Sequence, residues 1–192
     1  MILRQTAFSK TFLMLFLAVL LSILSGCTTF NRPARFEPMI RLSPSSFGEP
    51  ASLYQQIHAE LNGKKQDMNV VLEVTPEKLT MVGIAMERRM MTITYDGKEL
   101  ETWKDGKLPE QVQPEIVLSN IQLALWPIEA VRKGLPEGWT VVEENHLKRK
   151  ICFNNATIIR IEYSQKERWL GTIKMTDTRY HYGLTIQSVP LS

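Results

Sequence analysis

The side chains most able to do chemistry in this 192-residue chain are two cysteines and three histidines. His58, His146 and His181 stand far apart along the chain, and none has metal-ligand spacing with another. No HExxH, GxSxG, phosphate-loop or GxGxxG pattern occurs. Cys152 lies between apolar residues on an expected strand, which favours a buried, inert thiol over a reactive one. We therefore expect no catalytic residue, no metal site and no cofactor.

Cys27 has a different setting, because it follows a segment with the layout of a secretory signal. Arg4 and Lys10 give a short positive start, Phe12–Leu21 is almost entirely apolar, and small residues stand just before Cys27. The apolar stretch is shorter than the roughly 20 residues that a membrane-spanning helix needs. We expect residues 1–26 to be a signal peptide that is removed.

The boundary Leu24-Ser25-Gly26-Cys27 resembles the lipobox of bacterial lipoproteins. The resemblance implies that the Cys27 sulfur carries diacylglycerol and that its new amine is acylated. Two or three acyl chains anchor a protein durably, since each buried CH₂ contributes roughly 0.8 kcal/mol. Thr28 stands where aspartate usually signals retention in the inner membrane, so the resemblance implies the periplasmic face of the outer membrane. The alternative is an ordinary signal peptide with a chance cysteine.

Composition excludes several broad classes of function. The chain is 44% hydrophobic and 22% charged, which is ordinary for one folded domain and unlike a disordered chain. Without Arg4 and Lys10, the 23 basic residues fall to 21 against 20 acidic residues, so the net charge is +1. Nucleic acid is therefore not an expected partner.

Residues 27–50 show no convincing periodicity and contain Pro33, Pro38, Pro44 and Pro50. Proline fixes φ and lacks an amide donor, so regular structure is not expected here. We interpret the segment as a lipidated, flexible tether between the acyl chains and the folded body.

From residue 51 onward, apolar residues alternate with polar ones in a pattern that predicts about ten short antiparallel strands. Turn signals separate the strands at Asn62-Gly63, Thr75–Lys78, Asp96-Gly97, Asn145-His146 and Asn154-Asn155. One apolar helix begins near Pro114, is interrupted at Pro127, and continues as a short second helix. The predicted fold class is α+β, mainly β, in which a strongly curved antiparallel sheet forms a half-barrel around a short helical hairpin over residues 51–192.

This order of elements resembles the LolA/LolB-type fold over roughly residues 51–189. The shared features are the lipobox, two strand meanders, and an apolar helical segment that ends in the turn Gly134–Gly138. A closer resemblance is to small lipoproteins encoded beside fatty-acid-synthase-like gene sets for aryl polyenes. Their motifs match Gln122–Pro127 and Thr94–Gly97 here. The resemblance implies an outer-membrane lipoprotein whose half-barrel shelters an acyl or polyene chain.

Candidate contacts to such a chain are apolar residues of the first meander and the helix. They are Met68, Met81, Met91, Ile93, Leu118, Ile121, Leu125 and Trp126. Methionine adapts to irregular apolar shapes, although each of these side chains also suits an ordinary core. All four tryptophans are expected to be core residues more than ligand platforms.

In the LolB pattern, an exposed leucine on the hairpin between the third and fourth strands inserts into the membrane. The corresponding hairpin here spans residues 83–88 and contains no leucine. Ile84 and Met86 are candidate apolar membrane contacts, with Arg88 near lipid phosphates. The alternative is that the apolar residues finish a buried strand.

Three functions remain open on the sequence alone. The first is a noncatalytic protein that binds or transfers an acyl- or polyene-bearing lipid in a concave cavity. The second is a noncatalytic assembly lipoprotein with a filled interior that acts through a protein partner in the envelope. The third is an acyl hydrolase, for which no nucleophile motif is present.

Overall fold

The computed structural model describes residues 37–61, 63–180 and 182–191. The predicted signal peptide, the lipidation site Cys27 and His181 lie outside the described residues. These described residues contain ten strands and two α-helices. The strands are β1 (Ala51–Leu61), β2 (Lys64–Val74), β3 (Leu79–Ala85), β4 (Arg88–Tyr95), β5 (Leu100–Lys104), β6 (Trp139–Glu144), β7 (Lys148–Phe153), β8 (Ala156–Tyr163), β9 (Gly171–Asp177) and β10 (Tyr182–Pro190). The helices are α1 (Pro114–Leu125) and α2 (Ile128–Gly134), and a short 3-10 helix spans Pro44–Phe47.

All ten strands form one open antiparallel sheet in the order β5-β4-β3-β2-β1-β10-β9-β8-β7-β6. Each meander is built of consecutive hairpins, and β1 pairs with β10 to join the two meanders. The first and last strands are therefore central, while β5 and β6 are the edges.

The tight turns follow the turn residues of the sequence. Both residues of Asn145-His146 and of Asn154-Asn155 have positive φ, as a two-residue type I′ turn requires. Asparagine tolerates this conformation better than most residues. The β3–β4 turn uses Met86 and Glu87 with positive φ instead, so it has no favoured turn residue.

The sheet curves around α1. In the sheet order, β4 and β7 stand seven inter-strand steps apart, about 34 Å in a flat sheet. Yet α1 contacts β4 and accepts hydrogen bonds from Arg149 of β7, although its 12 residues span only about 18 Å. The two meanders therefore face each other across the helix. This confirms the predicted α+β, mainly β class with a curved antiparallel sheet.

Helix α1 is buried around most of its circumference. Pro114 occupies the first turn, where its missing amide hydrogen costs nothing. Leu118, Leu123 and Leu125 are buried, and the extended backbone of Trp126 ends the helix ahead of Pro127. The predicted interruption and second helix are confirmed.

The predicted flexible tether is wrong for residues 37–50. These residues belong to the same compact unit as the sheet, and Ile40, Leu42 and Phe47 are part of its core cluster. Residues 37–43 form no strand or helix, and side chains of α1 fix this part of the segment instead. Residues 27–36 lie outside the described part of the chain, so a tether there stays a prediction.

Candidate functional site

The inner, concave face of the sheet is the surface that the sequence assigned to a ligand. A segment that we call the strap, residues 38–47, lies over α1 on this side. Its first part is extended, with alternate residues buried: Pro38, Ile40, Leu42 and Pro44. Burial of an aliphatic side chain such as Ile40 or Leu42 contributes about 1.5–3 kcal/mol, so the strap adds substantially to the core.

Three side chains on one face of α1 and its end fix the strap by its backbone. Ser119 Oγ accepts a hydrogen bond from the Ile40 amide at 3.2 Å and donates to the Pro38 carbonyl at 2.7 Å. Gln122 accepts from the Leu42 amide at 2.9 Å and donates to the Leu42 carbonyl at 2.8 Å. Both polar side chains are buried, so loss of the strap would leave them without these partners.

Trp126 is the third side chain that holds the strap, and its ring also packs against another aromatic residue. Its indole Nε1 donates to the Ser43 carbonyl at 3.2 Å and to Ser46 Oγ at 3.1 Å. The Phe47 ring packs edge-on against Trp126 at 4.9 Å between centroids and tilts against Trp169 at 5.5 Å. Such contacts add about 0.5–1.5 kcal/mol per pair beyond area burial.

The carboxyl end of α1 is held by a different group, which we call the carbonyl clamp: Arg149, Tyr163 and Arg168. Arg149 donates to the Leu123 carbonyl at 2.7 Å and the Trp126 carbonyl at 3.0 Å. Tyr163 Oη donates to the Ala124 carbonyl at 2.7 Å, and Arg168 donates to the Leu125 carbonyl at 3.3 Å. The last carbonyls of a helix have no partner within it and carry partial negative charge, so cationic donors suit them.

Arg149 is fully buried and its charge is balanced by Glu143 on the neighbouring edge strand. The guanidinium Nη2 lies 2.7 Å from Glu143 Oε2. Burial alone would raise the pKa of Glu143, but the hydrogen bonds and charge of Arg149 hold that pKa below its ordinary value. Burial raises the pKa of Tyr163 to about 12, so its hydroxyl remains a donor at neutral pH.

The predicted ligand contacts lie together, but in a filled interior. Six of them are at most 2% exposed: Met81, Met91, Ile93, Leu118, Leu125 and Trp126. They pack in one cluster with the buried strap residues. The sequence predicted an open space between helix and sheet, and at these residues protein atoms fill it instead. The remaining two, Met68 and Ile121, are half-buried against this cluster.

The concave face is less covered at one end of its central strands. Ile57 pairs there with Met68 and Ile186, and Ala59 pairs with Leu184. All five are half-buried and apolar, and we call them the open patch. On β2 the patch continues into buried Val70 and Leu72, so an apolar surface runs from the core to solvent along this strand. On β1 and β10 the next inward residues are Gln55 and Ser188, which are buried and hydrogen-bonded to each other at 2.8 Å.

The proposed membrane-contact hairpin is partly exposed. Met86 at its turn is 80% exposed, Ile84 is half-buried, and Arg88 pairs with Asp105 at 3.2 Å. Beside it, Trp103 is 42% exposed under the Arg89 guanidinium, 4.5 Å from the ring centroid. The prediction that Trp103 is a core residue is wrong. Its position on edge strand β5, on the face opposite the inward residues, was the sequence signal that could have indicated its exposure.

The remaining reactive side chains lie on the surface or are buried singly. His58 is exposed and pairs with Asp67 at 2.8 Å beside a surface groove of about 500 Å³. His146 is exposed and 3.2 Å from Glu143. Cys152 is buried as a free thiol, which confirms its predicted burial. Among the described residues, no group of three or more His, Cys, Asp or Glu side chains is arranged to hold a metal ion.

Comparison with known proteins identifies a family. A family described as "Protein of unknown function (DUF3261)" matches residues 52–190. The chain belongs to this family. No curated protein matches it significantly. Among solved structures, a LolA-superfamily protein from Nitrosomonas europaea is 9% identical with a TM-score of 0.37, and the match covers 76% of this chain and 88% of that chain.

The residues that match the family model include only part of the candidate site. The sheet, the carbonyl clamp and the α1 side chains that hold the strap lie within the match, whereas the strap itself precedes residue 52. No described helix of this family member is long and apolar enough to cross a bilayer.

Proposed function

We propose that this protein is a noncatalytic, lipid-anchored envelope protein that binds one acyl or polyene chain on its concave face. The observation that supports it is the open patch, where an apolar surface that is continuous with the core along β2 reaches solvent. Apolar contact contributes roughly 25 cal/mol per Å² removed from water and is non-directional, which suits a protein that must also release its cargo.

Acylated Cys27 at the periplasmic face of the outer membrane completes the proposal, with aryl-polyene-type lipid synthesis or transport as the setting. This part rests on the sequence before residue 37. A mass measurement of the membrane-extracted protein tests it: two or three acyl groups on an amino-terminal Cys27 are expected, and an unmodified Cys27 contradicts it.

The chain would enter over the open patch and extend along the methionine-rich wall of β2 to β4. Met68 is the entry residue on this wall, because it is half-buried and its Sδ lies over Gly83, where a Cβ would be only 2.7 Å away. Methionine changes rotamer readily, so Met68, Met81 and Met91 can adjust to a flexible chain. Ile93 on β4 pairs with Met81 and completes this wall. Leu118, Ile121 and Leu125 of α1, with Trp126 at its end, form the opposite wall in this proposal.

A matched pair of substitutions tests the binding surface. The protein is made as residues 28–192, since all packing described above lies at or beyond residue 37. Leu184→Gln places an amide in the open patch, whereas Thr185→Gln changes the adjacent residue on the opposite face of β10. We expect Leu184→Gln to weaken fluorescently labelled palmitate binding several-fold and Thr185→Gln to leave it unchanged. Equal effects, or no binding by the parent protein, contradict the proposal.

The hairpin with Ile84, Met86 and Arg88 is proposed to touch the lipid surface during transfer. Met86→Ser should reduce sedimentation of residues 28–192 with anionic vesicles, because it removes the most exposed apolar side chain of the turn. Val142→Ser, a change at another exposed apolar residue, is the control. Equal sedimentation of the Met86 variant and the parent protein contradicts this contact.

The second candidate is an assembly lipoprotein that acts through an envelope protein. The filled interior around Met91, Ile93 and Leu118 favours it. Lipid extraction and mass spectrometry of the purified protein separate the two functions. Retained acyl or polyene lipid supports the first, and a lipid-free protein that copurifies with one stoichiometric partner supports the second.

A further inference from the structure

We propose that the strap is a movable closure of the ligand site, displaced when a long apolar chain binds. The inference rests on the proposed function, because it assumes that the concave face takes such a chain. It adds the site's inner half, namely the groove that residues 38–47 now occupy, and a mechanism that controls access to it.

The strap occupies its groove as an extended chain, with alternate side chains buried. The groove is narrow at two glycines. A Cβ at Gly134 would collide with the Leu42 side chain, and a Cβ at Gly97 would lie 3.3 Å from Pro44 Cδ. A narrow, apolar, extended groove has the shape that one unbranched chain would fill.

The attachment of the strap is separable from the rest of the fold. Residues 38–43 belong to no strand or helix, and the α1 contacts to their backbone come from neutral side chains. Release of the strap therefore breaks no strand pairing and no hydrogen bond within α1. The residue directly after the strap, Gly48, can serve as a hinge, since its φ of 110° and ψ of −106° form a conformation open mainly to glycine. Glu49 and Pro50, which follow it, are exposed.

The strap and the open patch lie toward opposite ends of the concave face. The strap contacts Gly97, which lies in the turn two residues after Tyr95. Tyr95 pairs across the sheet with Leu79, and Leu79 pairs with Val74, so these three residues form one row. Ala51 belongs to this row and precedes Ile57 of the open patch by six residues on β1, roughly 20 Å. Displacement of the strap would therefore join the two ends into one groove long enough for a long-chain acyl group, apolar along β2 at Val70 and Leu72. The hydrogen bond between Gln55 and Ser188 already pairs the polar side chains that this groove would pass on β1 and β10.

A reversible cross-link tests the closure. A Cβ at Gly97 would lie 3.7 Å from the Cα and 3.6 Å from the Oγ of Ser43, a spacing suited to a disulfide. Residues 28–192 carrying Ser43→Cys, Gly97→Cys and Cys152→Ala are compared oxidised and reduced. The two forms share every substitution, including any strain at Gly97, so only the cross-link differs. The probes are fluorescently labelled palmitate and fluorescently labelled octanoate.

We expect oxidation to weaken palmitate binding at least tenfold and to leave octanoate binding unchanged, since the shorter chain needs only the open patch. Equal palmitate binding in both forms overturns the closure and leaves the proposed function standing. Binding of octanoate alone in both forms also overturns the closure. No binding of either probe overturns the proposed function and the closure with it.

A second variant keeps the test independent of the cross-link. Ser119→Ala with Gln122→Ala removes the strap's hydrogen bonds and also removes the polar groups that an open groove would leave unpaired. We expect palmitate to bind several-fold more tightly to this variant than to the parent protein. Unchanged or weaker palmitate binding, in a protein with a parent-like circular dichroism spectrum, contradicts the closure.

Discussion

Helix α1 is held in two physically different ways. At its carboxyl end, the carbonyl clamp supplies charge-assisted hydrogen bonds from buried Arg149, which is balanced by Glu143. Along one face of the helix, Ser119 and Gln122 hold the strap through neutral hydrogen bonds. Hydrogen bonds to charged groups contribute about 1.5–3 kcal/mol, against roughly 0.5–1.5 kcal/mol for neutral ones. The helix is thus fixed at one end by charge, whereas the strap is held by neutral hydrogen bonds and by its buried apolar side chains.

The largest expected effect comes from breaking the clamp at its charge. Arg149→Met leaves the Leu123 and Trp126 carbonyls and Glu143 without their donor, so it should reduce the free energy of unfolding by about 3–5 kcal/mol. Urea denaturation followed by tryptophan fluorescence measures this. Arg160→Met, on the exposed face of the adjacent strand β8, should stay within about 0.5 kcal/mol of the parent protein. Similar losses in both variants would show that the clamp does not hold the helix.

A smaller effect is expected at the clamp's neutral member. Tyr163→Phe removes the donor to the Ala124 carbonyl and should cost about 1–3 kcal/mol in free energy of unfolding. Tyr54→Phe, at a half-buried position on the outer face, should change it by less than about 0.5 kcal/mol.

Tyr163 also makes the contribution of the clamp to stability depend on pH in the alkaline range. The pKa of Tyr163 is raised from 10.0 to about 12 in the folded protein, so its contribution is complete below pH 10. That contribution is lost as pH rises from about 10 through 12, because the unfolded chain ionises first. Tyr163→Phe should lose less stability than the parent protein over this range. If the free energy of unfolding falls equally with pH in the two proteins between about pH 10 and 12, the burial of the Tyr163 hydroxyl is contradicted.

The smallest effect is expected at the strap. Gln122→Ala should lower the free energy of unfolding by about 1 kcal/mol, because it removes the neutral hydrogen bonds to the Leu42 backbone. In this variant the amide hydrogen of Leu42 should exchange with solvent several-fold faster, as measured by NMR, while the exchange rate of the Ile93 amide within the sheet should not change. Gln56→Ala, at an exposed position on β1, is the control. If Leu42 exchanges no faster, the strap is held by its apolar side chains alone.

The sequence predicted the elements that depend on local signals. Period-two alternation indicated the strands, Asn145-His146 and Asn154-Asn155 indicated tight turns, and Pro127 indicated the end of α1. It predicted Cys152 to be buried, because its strand neighbours are apolar. In each case the physical cause acts over a few residues, so the pattern can be read without knowledge of the fold.

The strap and the clamp could not be predicted in the same way. Pro38, Ile40, Leu42 and Pro44 do alternate, but their prolines made the segment resemble a linker. Alternation on β7 places Arg149 on the same face as buried Ile151, but a charged side chain is rarely fully buried unless it is paired. Its partners lie on a helix and an edge strand, so the local sequence does not show them. The filled state of the predicted ligand contacts follows from these two features together.

By itself, the sequence determined an antiparallel, curved sheet with one interrupted apolar helix, since backbone preferences and side-chain alternation are local properties of the chain. Only the tertiary structure decided that the space beneath the helix is filled. That outcome depends on hydrogen bonds between groups far apart in sequence, such as Ile40 with Ser119 at a separation of 79 residues and Arg149 with Leu123 at 26. Buried polar groups must find partners wherever the fold brings them, and only the folded chain shows which partners are within reach.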